Sequence, residues 1–478
     1  MSLDLLPAEL ILDIVEHLDP GSALPFALTS RAHFKLLEDK LWQHAKLSAT
    51  YSNIRPTNDG HLIWEVTKEI LQDPRKGWYV RELDLGTNRP SEYENMSEED
   101  RGLFKAAIEK IMPLYPYSPG FFADDTDATD LSDKMDDDLR SGFEGCILVL
   151  LVHHSPQLRM IRMTDNLKSW TFELFIHWVA AAYQDPSLAP QMPLQHLRLA
   201  AITHHDPESF CTVDWAVNFL CIPSLKTFAA FMMGSEGAHM YGEEYEAGLR
   251  MSAITPVSNV EELFFQGCAF DANSFDTILP LIKDLKRFTY NAGDYTVPGG
   301  RYDTHLYNGK KVIRALVNHA ADSLEELNLV DISAGYVDGE DGVGFVSARG
   351  FKKLKALHCE LGWLLHDPKD ISTDGSSSED HHSMDDFDEE GLAYLKDPRD
   401  NLPESLEYLY LDIYNKRELE EIVKIFETSN ANTPKLTLES SCIERFSKSI
   451  KYGRAVEPQL QFANPLFDDI WRGHSHFV

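Results

Sequence analysis

The feature that most constrains this chain is a short phrase that recurs along it: an apolar residue, two free positions, a second apolar residue, one free position and a third. It reads Val80-x-x-Leu83-x-Leu85, Leu158-x-x-Ile161-x-Met163, Leu194-x-x-Leu197-x-Leu199 and Leu225-x-x-Phe228-x-Ala230. It returns as Val260-x-x-Leu263-x-Phe265, Leu285-x-x-Phe288-x-Tyr290, Leu324-x-x-Leu327-x-Leu329, Leu354-x-x-Leu357-x-Cys359 and Leu406-x-x-Leu409-x-Leu411, with Leu436-x-Leu438 as a last partial copy. Apolar residues two apart predict a short strand with one buried face. Amphipathic stretches at 145–153, 170–183, 275–283 and 311–321 predict helices between the strands. One strand and one helix every ~25–40 residues is the signature of a stacked repeat, in which each unit buries its apolar side only against its neighbours. A doubly wound domain would also alternate strands and helices, but its strands would read as continuous apolar runs. The expected fold class is therefore α/β: an irregular solenoid of strand–helix repeats around a curved parallel sheet, over residues 80–445.

The same alternation predicts a surface. Positions between the apolar ones should line the concave face: Arg162, Arg198, Glu262, Phe264, Arg287, Thr289, Glu326, Asn328, His358, Tyr408 and Tyr410. These are the candidate binding residues for a protein partner, with Phe264, Tyr408 and Tyr410 as exposed aromatic anchors. The pattern leaves open the alternative that loops fold over them.

Residues 1–47 have a different texture. Leu6-Pro7-Ala8-Glu9-Leu10 opens a helix, with Pro7 suited to the first turn and Glu9 matched to the positive end of the helix dipole. Leu10, Ile11, Ile14 and Leu18 recur at helical spacing, Asp19-Pro20-Gly21 breaks the run, and Ser22 is placed to cap a second helix carrying Leu24 and Leu28. A third short helix holds Phe34, Leu37, Leu41 and Trp42. Three short helices cannot bury this much apolar surface among themselves. Either they pack on the rest of the chain or a partner covers them, and composition alone leaves both readings open.

Taken together, Leu6-Pro7-x-Glu9-Leu10, Ile14, Leu18, Leu24, Leu28-Thr29-Ser30-Arg31, Phe34, Leu37 and Leu41-Trp42 resemble the F-box over its full length, with Phe34 where many F-boxes carry Trp. The resemblance implies that Leu6, Pro7, Leu10, Ile14, Leu18, Leu24 and Leu28 bind a Skp-type adaptor. Arg349–Leu357, Leu364-Leu365 and Leu402-Pro403-Glu404-Ser405-Leu406-Glu407-Tyr408-Leu409 look like filamentous-fungal F-box proteins with degenerate leucine-rich repeats. That likeness implies the substrate-recognition subunit of an SCF-type cullin–RING ubiquitin ligase, with cullin and RING subunits reached through the adaptor and an unidentified protein substrate on the repeats. The alternative is a non-degradative scaffold that holds the adaptor without a cullin. A helical linker at 48–79 (its helix near 61–72) and a C-terminal cap or tail at 446–478 complete the expected layout.

Composition narrows the remaining choices. A formal net charge of −33 disfavours nucleic-acid binding, which needs clustered Lys and Arg. The longest apolar run, Cys146–Val152, falls well short of the ~18 residues that span a bilayer, and no basic leader precedes the first helix. Six cysteines without a CxxC pair read as reduced core thiols, so cytoplasm or nucleus is the expected compartment. Acidic tracts at 124–138 and 366–390 read as disordered insertions within 91–140 and 366–400. In the second, Ser376 and Ser377 each precede an acidic residue by three positions, as acidophilic kinases favour, and His381-His382 lack the preformed geometry a metal needs. No GxSxG, HExxH or strand-borne GxGxxG is present, Gly309-Lys310 fails the phosphate-loop spacing, and His204-His205-Asp206 reads as a solvated turn. The expectation is a binding protein with no enzyme activity, cofactor or metal.

Overall fold

A computed structural model describes residues 6–18, 20–55, 62–86, 96–115, 131–165, 170–204, 210–234, 258–270, 272–292, 309–331, 347–360, 401–413, 437–442 and 450–452. The chain is α/β with a large parallel sheet, and it forms two compact units. The first holds the described residues up to His204 together with Asp214–Phe228, and the second holds 210–213 and the described residues from Ala229 onward.

The first unit begins with helices α1 (Ala8–His17), α2 (Pro20–Ala27) and α3 (Arg31–Tyr51). α2 starts ahead of the cap that Ser22 predicts. The third helix is not short: it runs 21 residues, past the expected boundary at 47. Ser30 caps it by accepting the His33 amide at 3.1 Å, and no Gly or Pro interrupts the chain before Pro56. Val15, Ala27 and Leu37 make a small core, with Leu12, Leu18, Phe26 and Leu41 packed against it. A 2.7 Å ion pair from Lys40 to Glu16 ties α3 to α1.

Strands β1 (Asn53–Ile54), β2 (Glu82–Leu85), β3 (Met160–Asp165), β4 (Leu199–His204) and β6 (Thr227–Phe231) follow in chain order across the sheet. β1 is a strand the repeat pattern did not mark; it pairs parallel with β2 through Ile54 and Leu83. This in-order arrangement has no reversal point, so a doubly wound sheet does not describe it. Helices α4 (Ile63–Gln72), α5 (Glu98–Ile111), α6 (Leu131–Ser141), α7 (Gly145–His153), α8 (Trp170–Ala182) and α9 (Asp214–Leu220) lie between the strands and pack on one another.

Part of the first acidic insertion is folded. Ser97 caps α5, Glu98, Glu99 and Asp100 fill its first turn, and Phe104, Ile108 and Ile111 are buried. In α6, Leu131, Met135 and Leu139 recur every fourth residue and are buried, while Asp133, Asp136 and Asp137 occupy the other face. The net acidity had masked a helical apolar stripe. The second acidic tract, with Ser376, Ser377, His381 and His382, lies outside the described residues, as does His205-Asp206.

The second unit contains β8 (Glu262–Cys268), β9 (Arg287–Ala292), β10 (Glu326–Asp331), β11 (Ala356–Glu360), β12 (Tyr408–Ile413) and β13 (Thr437–Cys442), each parallel to the next. β14 (Ile450–Tyr452) closes this order antiparallel to β13. Helices α10 (Ala272–Ile278) and α11 (Gly309–Ala320) cover it, and β5 (Cys211–Thr212) pairs with β7 (Met233–Gly234) in a small separate sheet. Phe265, Phe270, Phe275, Phe288 and Tyr290 form one buried aromatic cluster, with ring centroids 4.9–6.4 Å apart. Gly267 (φ +57°) sits in the β8 bulge, where a Cβ would lie 2.8 Å from the Phe231 ring. No described helix is long and apolar enough to cross a membrane.

Candidate functional site

The N-terminal helices leave apolar surface uncovered. Leu10 (49% exposed), Leu24 (50%), Leu28 (64%), Phe34 (43%) and Trp42 (71%) are the exposed large hydrophobics among the described residues, and all fall on α1–α3 or the turn after α2. The reason is the one composition suggests: the small core uses one side of each helix, and the other side has nothing left to bury it. Of the predicted adaptor residues, Pro7, Leu10, Leu24 and Leu28 are exposed and Leu6 and Ile14 are half-buried. Leu18 instead packs against the internal core, in contact with the cluster of Val15, Ala27 and Leu37.

The predicted strand-face residues are mostly where period-2 alternation puts them. Across the second unit, register aligns Glu262, Arg287 and Glu326 in one row, and Phe264, Thr289, Asn328, His358 and Tyr410 in the next. Glu262 and Arg287 form an ion pair, and the His358 and Tyr410 rings meet edge-on with centroids 4.3 Å apart. Phe264, Tyr408 and Tyr410 are half-buried rather than exposed, and Asn328 is buried. In the first unit Arg162 lies 3.7 Å from Asp84 on the next strand.

Arg198 is the exception. β4 pairs Ile161 with Ala200 and Met163 with Ile202, so the repeat there reads Leu197-x-x-Ala200-x-Ile202. Arg198 therefore precedes the strand instead of lying on its face. Leu194 sits in a turn at φ 68°, accepting the Leu197 amide, and small Ala200 had hidden the true frame.

Corrected in this way, the frame exposes a second set of residues that the sequence reading missed. The residue after the first apolar position is charged in every full repeat: Arg81, Arg159, Arg198 and Lys226 in the first unit, and Glu261, Lys286, Glu325, Lys355 and Glu407 in the second. Backbone hydrogen bonds hold each row in register. The Ser52 carbonyl accepts from Arg81, Arg81 from Arg159, Arg159 from Arg198 and Arg198 from Lys226, at 2.7–3.0 Å. In the second unit Glu261 accepts from Lys286, Lys286 from Glu325, Glu325 from Lys355 and Lys355 from Glu407.

Cys146, Cys211, Cys221, Cys268 and Cys359 are buried and form no disulfide, and burial pushes Cys221 and Cys268 up to about 12, away from the nucleophilic thiolate. Among the described residues no group of three His, Cys, Asp or Glu side chains is placed to hold a metal ion. No protein-family model matches the chain, and no curated protein matches it either.

Proposed function

We propose that this chain is the substrate-recognition subunit of an SCF-type cullin–RING ubiquitin ligase. Helices α1–α3 act as an F-box that docks on a Skp-type adaptor, and the strand-and-helix repeats act as an irregular leucine-rich solenoid that holds a protein substrate. The supporting observation is the placement of Leu10, Leu24, Leu28, Phe34 and Trp42, exposed on the segment that carries the F-box-like spacing. Leaving five large apolar side chains in water is unfavourable unless a partner removes them. The in-order parallel strands bearing the L-x-x-L-x-L phrase support the solenoid. In this reading the chain does no chemistry; it raises the local concentration of substrate lysines near a charged conjugating enzyme.

The test is co-purification of the full chain with a recombinant Skp-type adaptor and cullin. Leu10→Ala with Leu28→Ala should abolish capture, since truncating an apolar anchor at an interface centre costs roughly 2–4 kcal/mol and each ~1.4 kcal/mol is tenfold in affinity. Capture of the adaptor without cullin would favour the scaffold role. Wild-type capture by the double variant would sink the F-box reading.

A further inference from the structure

The two charged rows are built alike and charged differently. In the second unit the signs alternate, and the row neutralises itself: Lys286 Nζ lies 2.6 Å from Glu261, and Lys355 Nζ lies 2.9 Å from Glu325. In the first unit four consecutive members are cations, Arg81, Arg159, Arg198 and Lys226, in a chain whose net charge is −33. Neighbouring strands are ~4.8 Å apart, so these cations repel at close range, which is an arrangement sheets ordinarily avoid. Arg159 and Arg198 are exposed, and neither forms an ion pair among the described residues.

The row also lines a cavity of about 690 Å³. Met160 and Leu199 give it apolar lining, and Ser52 and Thr227 add hydroxyls at its two ends of the row. Its one acidic lining residue, Glu82, already accepts from the Asn53 amide at 2.9 Å. Arg81 is held in place by its own hydrogen bonds to the Trp78 and Val80 carbonyl oxygens at 2.6 and 3.2 Å. Arginine carries five donors in a planar fork suited to carboxylates, and the exposed Arg159 and Arg198 both line the cavity.

We propose that this row is an anion-binding site that takes an acidic stretch of extended polypeptide. Three inter-strand steps give a span of ~14 Å, which about four extended residues cover at ~3.3 Å each. A long polyanion such as nucleic acid would meet the repulsion of the whole negatively charged chain, whereas a short acidic segment meets mainly the local cations. The site does not depend on the adaptor reading, and its test uses no adaptor.

Fluorescence anisotropy of the full chain with a labelled hexaglutamate peptide should show binding at low salt that weakens as salt rises. A hexaglutamine peptide of the same length should not bind. Arg159→Gln with Arg198→Gln, both at exposed positions and checked for an unchanged melting temperature, should weaken binding at least tenfold, and Lys226→Gln should weaken it several-fold. Lys355→Gln, in the self-neutralised row, should leave it unchanged. Equal binding by wild type and the double arginine variant, no binding at low salt, or tighter binding of a single-stranded oligonucleotide than of the peptide would each overturn the proposal.

Discussion

Tyr290 donates its phenolic hydrogen to the Cys268 carbonyl oxygen at 2.8 Å, and the same oxygen of Tyr290 accepts the Phe270 amide at 3.0 Å. One hydroxyl thus serves both a donor and an acceptor at the end of β8, inside a cluster of four phenylalanines. Tyr290→Phe keeps the ring and removes both bonds, leaving buried backbone groups short of a partner. The expected cost is about 1–3 kcal/mol in urea unfolding of the second unit. A loss below about 0.5 kcal/mol would mean that the chain end of β8 finds other partners.

Much of this fold was legible because its signal is repeated. Leu83, Ile161, Phe228, Leu263, Phe288, Leu327, Leu357 and Leu409 each occupy the same place in a strand, and each copy supports the reading of the others. The failure at Arg198 came from Ala200, whose small side chain packs in the core yet reads weakly as apolar, so two larger leucines nearby captured the frame. α5 and α6 were hidden by charge: Asp and Glu dominate the composition there, while Phe104 and Met135 decide the packing. The cationic row was written in the sequence at the second position of each repeat, but only the register of the strands shows that Arg81, Arg159, Arg198 and Lys226 are neighbours. Three long leaps in chain position become single steps between four adjacent strands.

Gly77 lies against the backbone of the helix end after α7. A Cβ there would stand 1.9 Å from the His154 carbonyl oxygen and 3.2 Å from Ile70 Cγ2. Since the first obstacle is backbone, no side-chain rotation relieves it. Gly77→Ala should destabilise the first unit by about 1–3 kcal/mol, seen as a lower thermal midpoint. An unchanged midpoint would show that the 3₁₀ turn Lys76–Tyr79 shifts freely.

Stability should also depend on pH through His153. Burial, then the neighbouring His154 and Lys110, lower its pKa to about 4, and its Nδ1 lies 2.8 Å from the Tyr115 hydroxyl. Between about 4 and the ordinary ~6.5, the unfolded chain binds a proton that the folded chain does not, so stability falls as pH drops through this window. From pH 7 to pH 5 the loss from this residue is about 2 kcal/mol. Asp138 and Asp214, raised to about 6 by burial, act in the opposite sense, so wild type alone does not isolate the effect. His153→Gln should lose less stability than wild type over that range; parallel curves would remove His153 as the cause.

The exposed apolar face of the N-terminal helices makes an asymmetric prediction. Leu37 is fully buried in the small core beside Val15 and Ala27, while Leu28 is 64% exposed in the turn after α2. Truncating Leu37 to Ala removes a core side chain and should cost about 2–5 kcal/mol. Replacing Leu28 by Ser removes a side chain that mostly faces water and should change stability by no more than about 0.5 kcal/mol. Adaptor capture should show the reverse ranking for a folded sample: Leu28→Ser loses the partner with its melting temperature intact. A side chain held for folding and one held for a partner are thus separable by two measurements on the same protein. If Leu28→Ser lowers stability as much as Leu37→Ala, the face is packed against the chain itself and no partner is needed to explain it.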